Sequence, residues 1–183
     1  MKTLIIDNHT KHVSELVTMF PGSDVVVKEN LKNTSLEKYD LLVFSGGSHV
    51  PTVLHHTEIY SEEISIIQKA TIPILGICLG SEIIIDAFGG ELNEISALHQ
   101  GDMKLTIIDE SLSRVLKDDD VTMYEAHCVT IKKLPDDFMS CAVSDHGIEI
   151  FKHATKPIIG IQFHPEVGHH EKLIQWVLTS LGF

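Results

Sequence analysis

Arginine is almost absent from this sequence. Arg114 is the only one in 183 residues. The planar, two-pronged clamp that grips a phosphorylated ligand is therefore hardly available from this chain. Positive charge is scarce altogether: 14 basic residues stand against 26 acidic ones, a formal net charge of -12. Such a surface repels phosphate backbones, so nucleic acid is not expected as a partner. No apolar run reaches the ~18 residues that cross a bilayer, and no membrane partner is expected either. MKTLIID, Met1 to Asp7, carries one lysine and meets an acid early, unlike a signal peptide. It reads as a first strand, and the expected location is the cytoplasm. The three cysteines, Cys78, Cys128 and Cys141, have no paired spacing, which argues against a disulfide framework and suits a reducing compartment. Repeats, low-complexity tracts and linkers are also missing. Residues 1–183 read as one domain.

What is present is an ordinary globular composition, 43% hydrophobic and 22% charged, enough for a sizeable core. Short apolar runs predict buried strands at Thr3 to Ile6, Val25 to Val27, Leu41 to Phe44 and Ile72 to Ile77. Tyr60, Ile64 and Ile67 recur at helical spacing within a helix expected over Thr57 to Lys69. A second helix is expected over Ser81 to Phe88, stopped by Gly89-Gly90. The second half is richer in strands, with candidates at Lys104 to Ile108, Val121 to Tyr124, Phe138 to Val143, Ile148 to Phe151 and Ile158 to Phe163. Ser111 to Leu116 reads as a helical turn, and His170 to Leu181 as a closing helix with Leu173, Val177 and Leu181 on one face. The fold class is α/β: an open, mostly parallel sheet with helices on both faces and a strand-rich second half.

Within ILGICLGSEIII, Ile74 to Ile85, Cys78 stands between Gly76 and Gly80 where a strand should become a helix. A thiol attacks as its thiolate, and a helix N-terminus lowers the thiol pKa from ~8.5. A sharp turn would supply that position and expose the sulfur. G-x-C-x-G is the cysteine form of the nucleophile elbow, and the Leu79 N–H then faces a developing oxyanion. The alternative for Cys78 is a small buried thiol at a strand end.

Among the 12 histidines, His164 has the most telling context. It follows an apolar strand in GIQFHPE, Gly160 to Glu166, at the sheet edge where ligands bind in open α/β folds. Glu166 is close enough in sequence to reach back to the imidazole and hold it. The pairs His55-His56 and His169-His170 do not share a helix face, and no metal site is expected around them.

GICLG and GIQFHPE together, in the order Cys, His, Glu, resemble the class I, triad-type glutamine amidotransferases. The resemblance extends over nearly the whole chain. LIIDN (Leu4 to Asn8) is similar to the family's first strand, FSGG (Phe44 to Gly47) to its oxyanion loop, and Ala126-His127-Cys128-Val129 to the segment lining its glutamine pocket. The stand-alone glutaminase subunits of guanosine monophosphate synthetase are the nearest look. Those of anthranilate and aminodeoxychorismate synthases come next. The resemblance implies Cys78 as nucleophile, His164 as acid–base and Glu166 as its orienting partner. It implies an oxyanion hole from Gly47 and Leu79, and substrate contacts from Gly46, Glu82, His127, Cys128 and Val129. L-Glutamine or another γ-glutamyl compound would be the substrate, and a separate synthetase chain the partner. No cofactor is implied.

Three departures from the family pattern bear on that reading. Ser81-Glu82 stands where the family has His-Gln, and an ionised carboxylate accepts hydrogen bonds but cannot donate them. Glu82 would also oppose thiolate formation at Cys78. Ser48 stands where the synthetase subunits have proline. Val129 stands where they have an acidic residue that serves coupling to the synthetase. A glutaminase, a hydrolase of another γ-glutamyl amide, and a non-catalytic regulatory domain of the same fold all remain open from sequence.

Overall fold

In a computed structural model, residues 1–47, 58–117, 121–168 and 170–183 are described. Strand β1 (Thr3–Asp7) pairs in parallel with β2 (Asp24–Val27) on one side and β3 (Leu41–Phe44) on the other. Strand β4 (Ile74–Ile77) continues the parallel series beside β3, and β10 (Ile158–Ile161) lies parallel to β4. Beyond β10 the sheet turns antiparallel through β9 (Gly147–His153), β8 (Phe138–Ser144) and the short β6 (Thr106–Ile107).

Of the five parallel strands, β1, β3, β4 and β10 are almost wholly apolar and buried because both faces of the sheet are covered there, whereas β2 at the edge is partly exposed. Side chains alternate across a strand. Ile5, Val43, Leu75 and Ile159 therefore pack with Leu16 of α1 (Val13–Met19) and with Leu173 and Val177 of α5 (Glu171–Leu181). Leu4, Leu42, Ile74 and Ile158 pack on the other face with Ile67 of α2 (Ser61–Gln68) and Ile83 and Ile84 of α3 (Leu79–Ala87). Each such fully buried side chain contributes ~1.5–3 kcal/mol. A short helix, α4 (Glu110–Val115), is capped by Asp109, whose carboxylate accepts the Leu112 N–H at 2.9 Å.

Most expected elements fall within a few residues of the observed ones. The predicted face of α5 is buried; of the predicted α2 residues, Tyr60 and Ile67 are buried and Ile64 partly so, with Glu63 buried beside them. The expected start of α2 at Thr57 lies outside the described residues, as do Ser48, His55, His56 and His169. The expected strand Lys104 to Ile108 is in fact two pieces in two sheets. Lys104 ends the long β5 (Glu91–Lys104), which pairs antiparallel with β7 (Thr122–Lys133) as a separate two-stranded ribbon. Buried Leu105 is the hinge, its N–H held by the Val121 carbonyl at 2.9 Å. β5 gave no warning because its side chains are mostly exposed and polar, so its ladder and not its hydrophobicity makes it a strand. α1 was missed for a related reason: it buries Leu16 alone.

The tightest packing lies around the β4–α3 turn. A Cβ on Gly80 would stand 2.2 Å from the Phe44 carbonyl oxygen, and one on Gly76 would stand 2.6 Å from the Gly80 carbonyl oxygen. Backbone cannot move aside as a side-chain tip can. Gly80→Ala is expected to destabilise the fold by about 3 kcal/mol or more, read as a fall in the urea midpoint. An unchanged midpoint would show that α3 can shift away from β3.

Candidate active site

One residue separates β4 from α3. It is Cys78, with φ +49° and ψ -111°, a conformation that costs a side chain ~1–3 kcal/mol. The surroundings hold it there. Its N–H donates to the Ile161 carbonyl at 2.7 Å. Its carbonyl accepts the Ser81 and Glu82 N–H groups at 2.9 and 3.1 Å and the Ser81 hydroxyl at 2.7 Å.

His164 comes from the end of β10, across the sheet. Its N–H donates to the Tyr124 carbonyl at 2.9 Å, which ties it to the ribbon. Its ring Nδ1 lies 2.8 Å from Oε1 of Glu166, and both side chains are almost wholly buried. A carboxylate can only accept, so Nδ1 carries a proton, and in the neutral ring this leaves the Nε2 lone pair for a base's work. Cys78 and His164 close on the same space: a Cβ at Gly46 would lie 3.4 Å from Cβ of Cys78 and 2.9 Å from Cε1 of His164. Cys78, His164, Gly47, Leu79 and Glu82 line a cleft of about 480 Å³, whose far wall includes Ala126, His127, Cys128 and Val129 of β7.

This geometry is that of a strand–turn–helix elbow facing a histidine, and a comparison of the whole sequence decides its kinship. The model of the family "Glutamine amidotransferase class-I" matches residues 4–178. The chain belongs to that family. Its relatives include the glutamine-hydrolyzing GMP synthase subunit of Methanothermobacter thermautotrophicus, 44% identical over 108 residues, which is 58% of each chain. The protein of the same name from Pyrococcus furiosus is 32% identical over 92% of this chain and 90% of its own. Among solved structures, a GMP synthase subunit of Thermoplasma acidophilum superposes with a TM-score of 0.82 at 26% identity, over 99% of this chain and 94% of the other. A glutamine amidotransferase of Thermotoga maritima shares the fold, with a TM-score of 0.72 at 22% identity over 98% and 81%.

One expectation for this amidotransferase is overturned. Cys78 does not face solvent with a lowered pKa. It is 4% exposed, and burial pushes its thiol well above the ordinary range. The charges of Glu82 and Glu166 add to that rise, and the Leu79 N–H opposes it. The helix N-terminus is there, but desolvation outweighs it. At rest the nucleophile candidate is a thiol.

Glu82, the departure from the family pattern, is buried directly beneath the cleft. Its Oε1 accepts from Nε2 of Gln162 at 3.0 Å. The same amide nitrogen reaches the Val129 carbonyl at 3.4 Å, and the Gln162 Oε1 accepts the Ser81 hydroxyl at 3.2 Å. Burial pushes the Glu82 carboxyl up to about 7, against the Gln162 hydrogen bond and the charge of His164. His127, in the cleft wall, has its Nε2 3.0 Å from Oε2 of Glu125. Cys128 is exposed. Sequence reasoning missed Lys11, His12, Gln100 and Tyr124, which also line the cleft. They come from the loop after β1 and from the ribbon, where neither motif nor periodicity marks them.

Proposed function

We propose that this chain hydrolyses the side-chain amide of L-glutamine to glutamate and ammonia. It acts as the glutaminase half of a two-chain GMP synthase, in which a separate synthetase chain takes the ammonia. The chief support is the convergence of Cys78 and His164 on the space beside Gly46, with His164 held by Glu166. The names of the relatives, glutamine-hydrolyzing subunits of GMP synthase, support the partner. Residues 1–183 act as one domain, in the cytoplasm. Among the described residues no helix is long and apolar enough to cross a membrane.

Cys78 gives its proton to Nε2 of His164 as its sulfur attacks the amide carbon. Burial raises the thiol pKa, so His164 is needed to take the proton as the sulfur attacks. The N–H groups of Gly47 and Leu79 meet the tetrahedral oxyanion. The C–N bond breaks, and His164 returns the proton to leaving ammonia. Water, deprotonated by His164, then cleaves the γ-glutamyl thioester and restores the thiol. Lys11 at the cleft offers positive charge to the substrate carboxylate, and the chain around Cys128 and Val129 meets the amino-acid end. No cofactor enters these steps.

Ammonia and glutamate release from L-glutamine, by the purified chain with and without its synthetase chain, tests the reading. Absence of release in both cases would leave a non-catalytic domain.

Glu82 sets a second test. Its carboxyl has a folded-state pKa of about 7, against an ordinary 4.5. Below pH ~6 it is neutral and can donate like the family's glutamine; above pH ~8 it is an anion that further resists thiolate formation. Glu82→Gln is therefore expected to match the parent at low pH and to be roughly tenfold faster at high pH. The same shift carries a stability sign. Between 4.5 and about 7 the folded state retains a proton that the unfolded state has lost, so parent stability falls as pH rises through that window. Glu82→Gln removes the fall and is expected to gain on the order of 2–3 kcal/mol above it. Equal rate ratios at both pH values would remove Glu82 from the chemistry. Faster turnover of a γ-glutamyl amine than of glutamine by the parent would favour the other γ-glutamyl substrate class.

A further inference from the structure

A second polar cluster lies between the ribbon and the β8–β9 hairpin. It uses side chains from three distant parts of the chain. β5 contributes His99, which pairs directly with His127 of β7. Glu125, on the same face of β7 as His127, is buried. His146 comes from the turn between β8 and β9. We propose that His99, Glu125 and His146 bind one divalent transition-metal ion of the zinc class.

Each of the three offers a ligand atom, and these atoms all lie within 4.8 Å of one another. Zinc bonds of about 2.0–2.1 Å to nitrogen and oxygen set tetrahedral donors roughly 3.3–3.4 Å apart, so the side chains draw inward by rotamer adjustment when the ion binds. The rings of His99 and His146 have centroids 3.9 Å apart with their planes tilted by 38°. Nδ1 of His99 is buried without a hydrogen-bond partner. Nδ1 of His146 stands 2.8 Å from Oε1 of Glu125, yet without the alignment of a hydrogen bond. That contact is an ion pair when His146 is protonated; the neutral ring turns a lone pair to the same space, as a ligand does.

The surroundings fit as well. The other oxygen of Glu125, Oε2, is 3.0 Å from Nε2 of His127, the kind of outer partner that orients a ligating carboxylate. Glu149 is 1% exposed, its Oε2 has no partner, and it brings a ligand atom within 4.8 Å of those of Glu125 and His127. Two buried carboxylates side by side favour a cation. Two imidazoles in the set select a zinc-like ion over magnesium or calcium, which prefer oxygen alone. The His146 side chain is 34% exposed, which leaves an entry path from solvent. A bound ion would tie β5, β7 and the β8–β9 turn together, next to Cys128 and Val129 of the cleft wall.

The test uses the full chain stripped with a chelator, then titrated with Co²⁺ and Zn²⁺. The expected result is one ion per chain, visible Co²⁺ bands of a low-symmetry site, and a zinc-dependent rise in melting temperature. Affinity should fall by about 100-fold or more in His99→Ala and in Glu125→Gln. It should be unchanged in Cys78→Ala, which removes the competing thiol. His146→Ala, at a partly exposed turn position, keeps the test decisive if the Glu125 variant fails to fold. Absence of stoichiometric binding by the parent overturns the proposal. So does binding that survives in His146→Ala, or that disappears in Cys78→Ala.

Discussion

Cys78→Ala is expected to lower ammonia release from L-glutamine by about a millionfold, the scale on which an enzyme loses its nucleophile. Cys128 lines the same cleft and is exposed on β7, but it does not sit at the strained strand–helix turn where the Leu79 N–H begins α3. The variant keeps the Cβ, so the turn and its packing are expected to survive, and circular dichroism should overlay that of the parent. A glutamine-analogue electrophile should add its mass to the parent and not to Cys78→Ala. Cys78→Gly provides an independent check. The residue's φ of +49° is strained for any side chain and free for glycine, so Cys78→Gly should be the more stable of the two inactive variants by about 1 kcal/mol. Equal activity in parent and Cys78→Ala would mean that the elbow is only a structural turn.

Glu166→Gln is expected to lower kcat by about 10⁴-fold with little change in KM, following the loss seen when a triad acid becomes its amide. The carboxylate accepts the His164 Nδ1 proton at 2.8 Å. It thereby fixes which ring nitrogen faces Cys78, and it would balance the imidazolium formed during attack. Glutamine has the same shape but presents either a neutral oxygen or an N–H, which would turn the tautomer around. Oε2 of Glu166 is buried with no hydrogen-bond partner among the described residues, so the whole charge is directed at the one imidazole. A KM rise with kcat preserved would instead place Glu166 in substrate binding.

The motifs were legible because each is a local geometry written in consecutive residues. Gly76 and Gly80 flank Cys78 since any side chain there would strike the Gly80 or Phe44 backbone. His164 and Glu166 share one short turn, so their contact follows from sequence spacing. The parallel core was legible too, since strands buried on both faces are uniformly apolar. The ribbon was not, because β5 exposes polar side chains and is held by backbone pairing with β7.

The sequence by itself thus determined the α/β class, the elbow at Cys78, and the His164–Glu166 pair. Only the tertiary structure decided the protonation of Cys78 and Glu82, because desolvation depends on what other segments lay over them. Contacts to Ile161 and Gln162 on and just after β10, with Val129 of the ribbon beyond, close over the two buried groups, and no neighbour in sequence reports it. The cluster of His99, Glu125 and His146 arises in the same way. Its members are far apart along the chain, with no metal-ligand spacing between them, and meet only where the ribbon crosses the β8–β9 turn. Local sequence carries turn geometry and burial pattern; convergence and dielectric are sums over the whole fold.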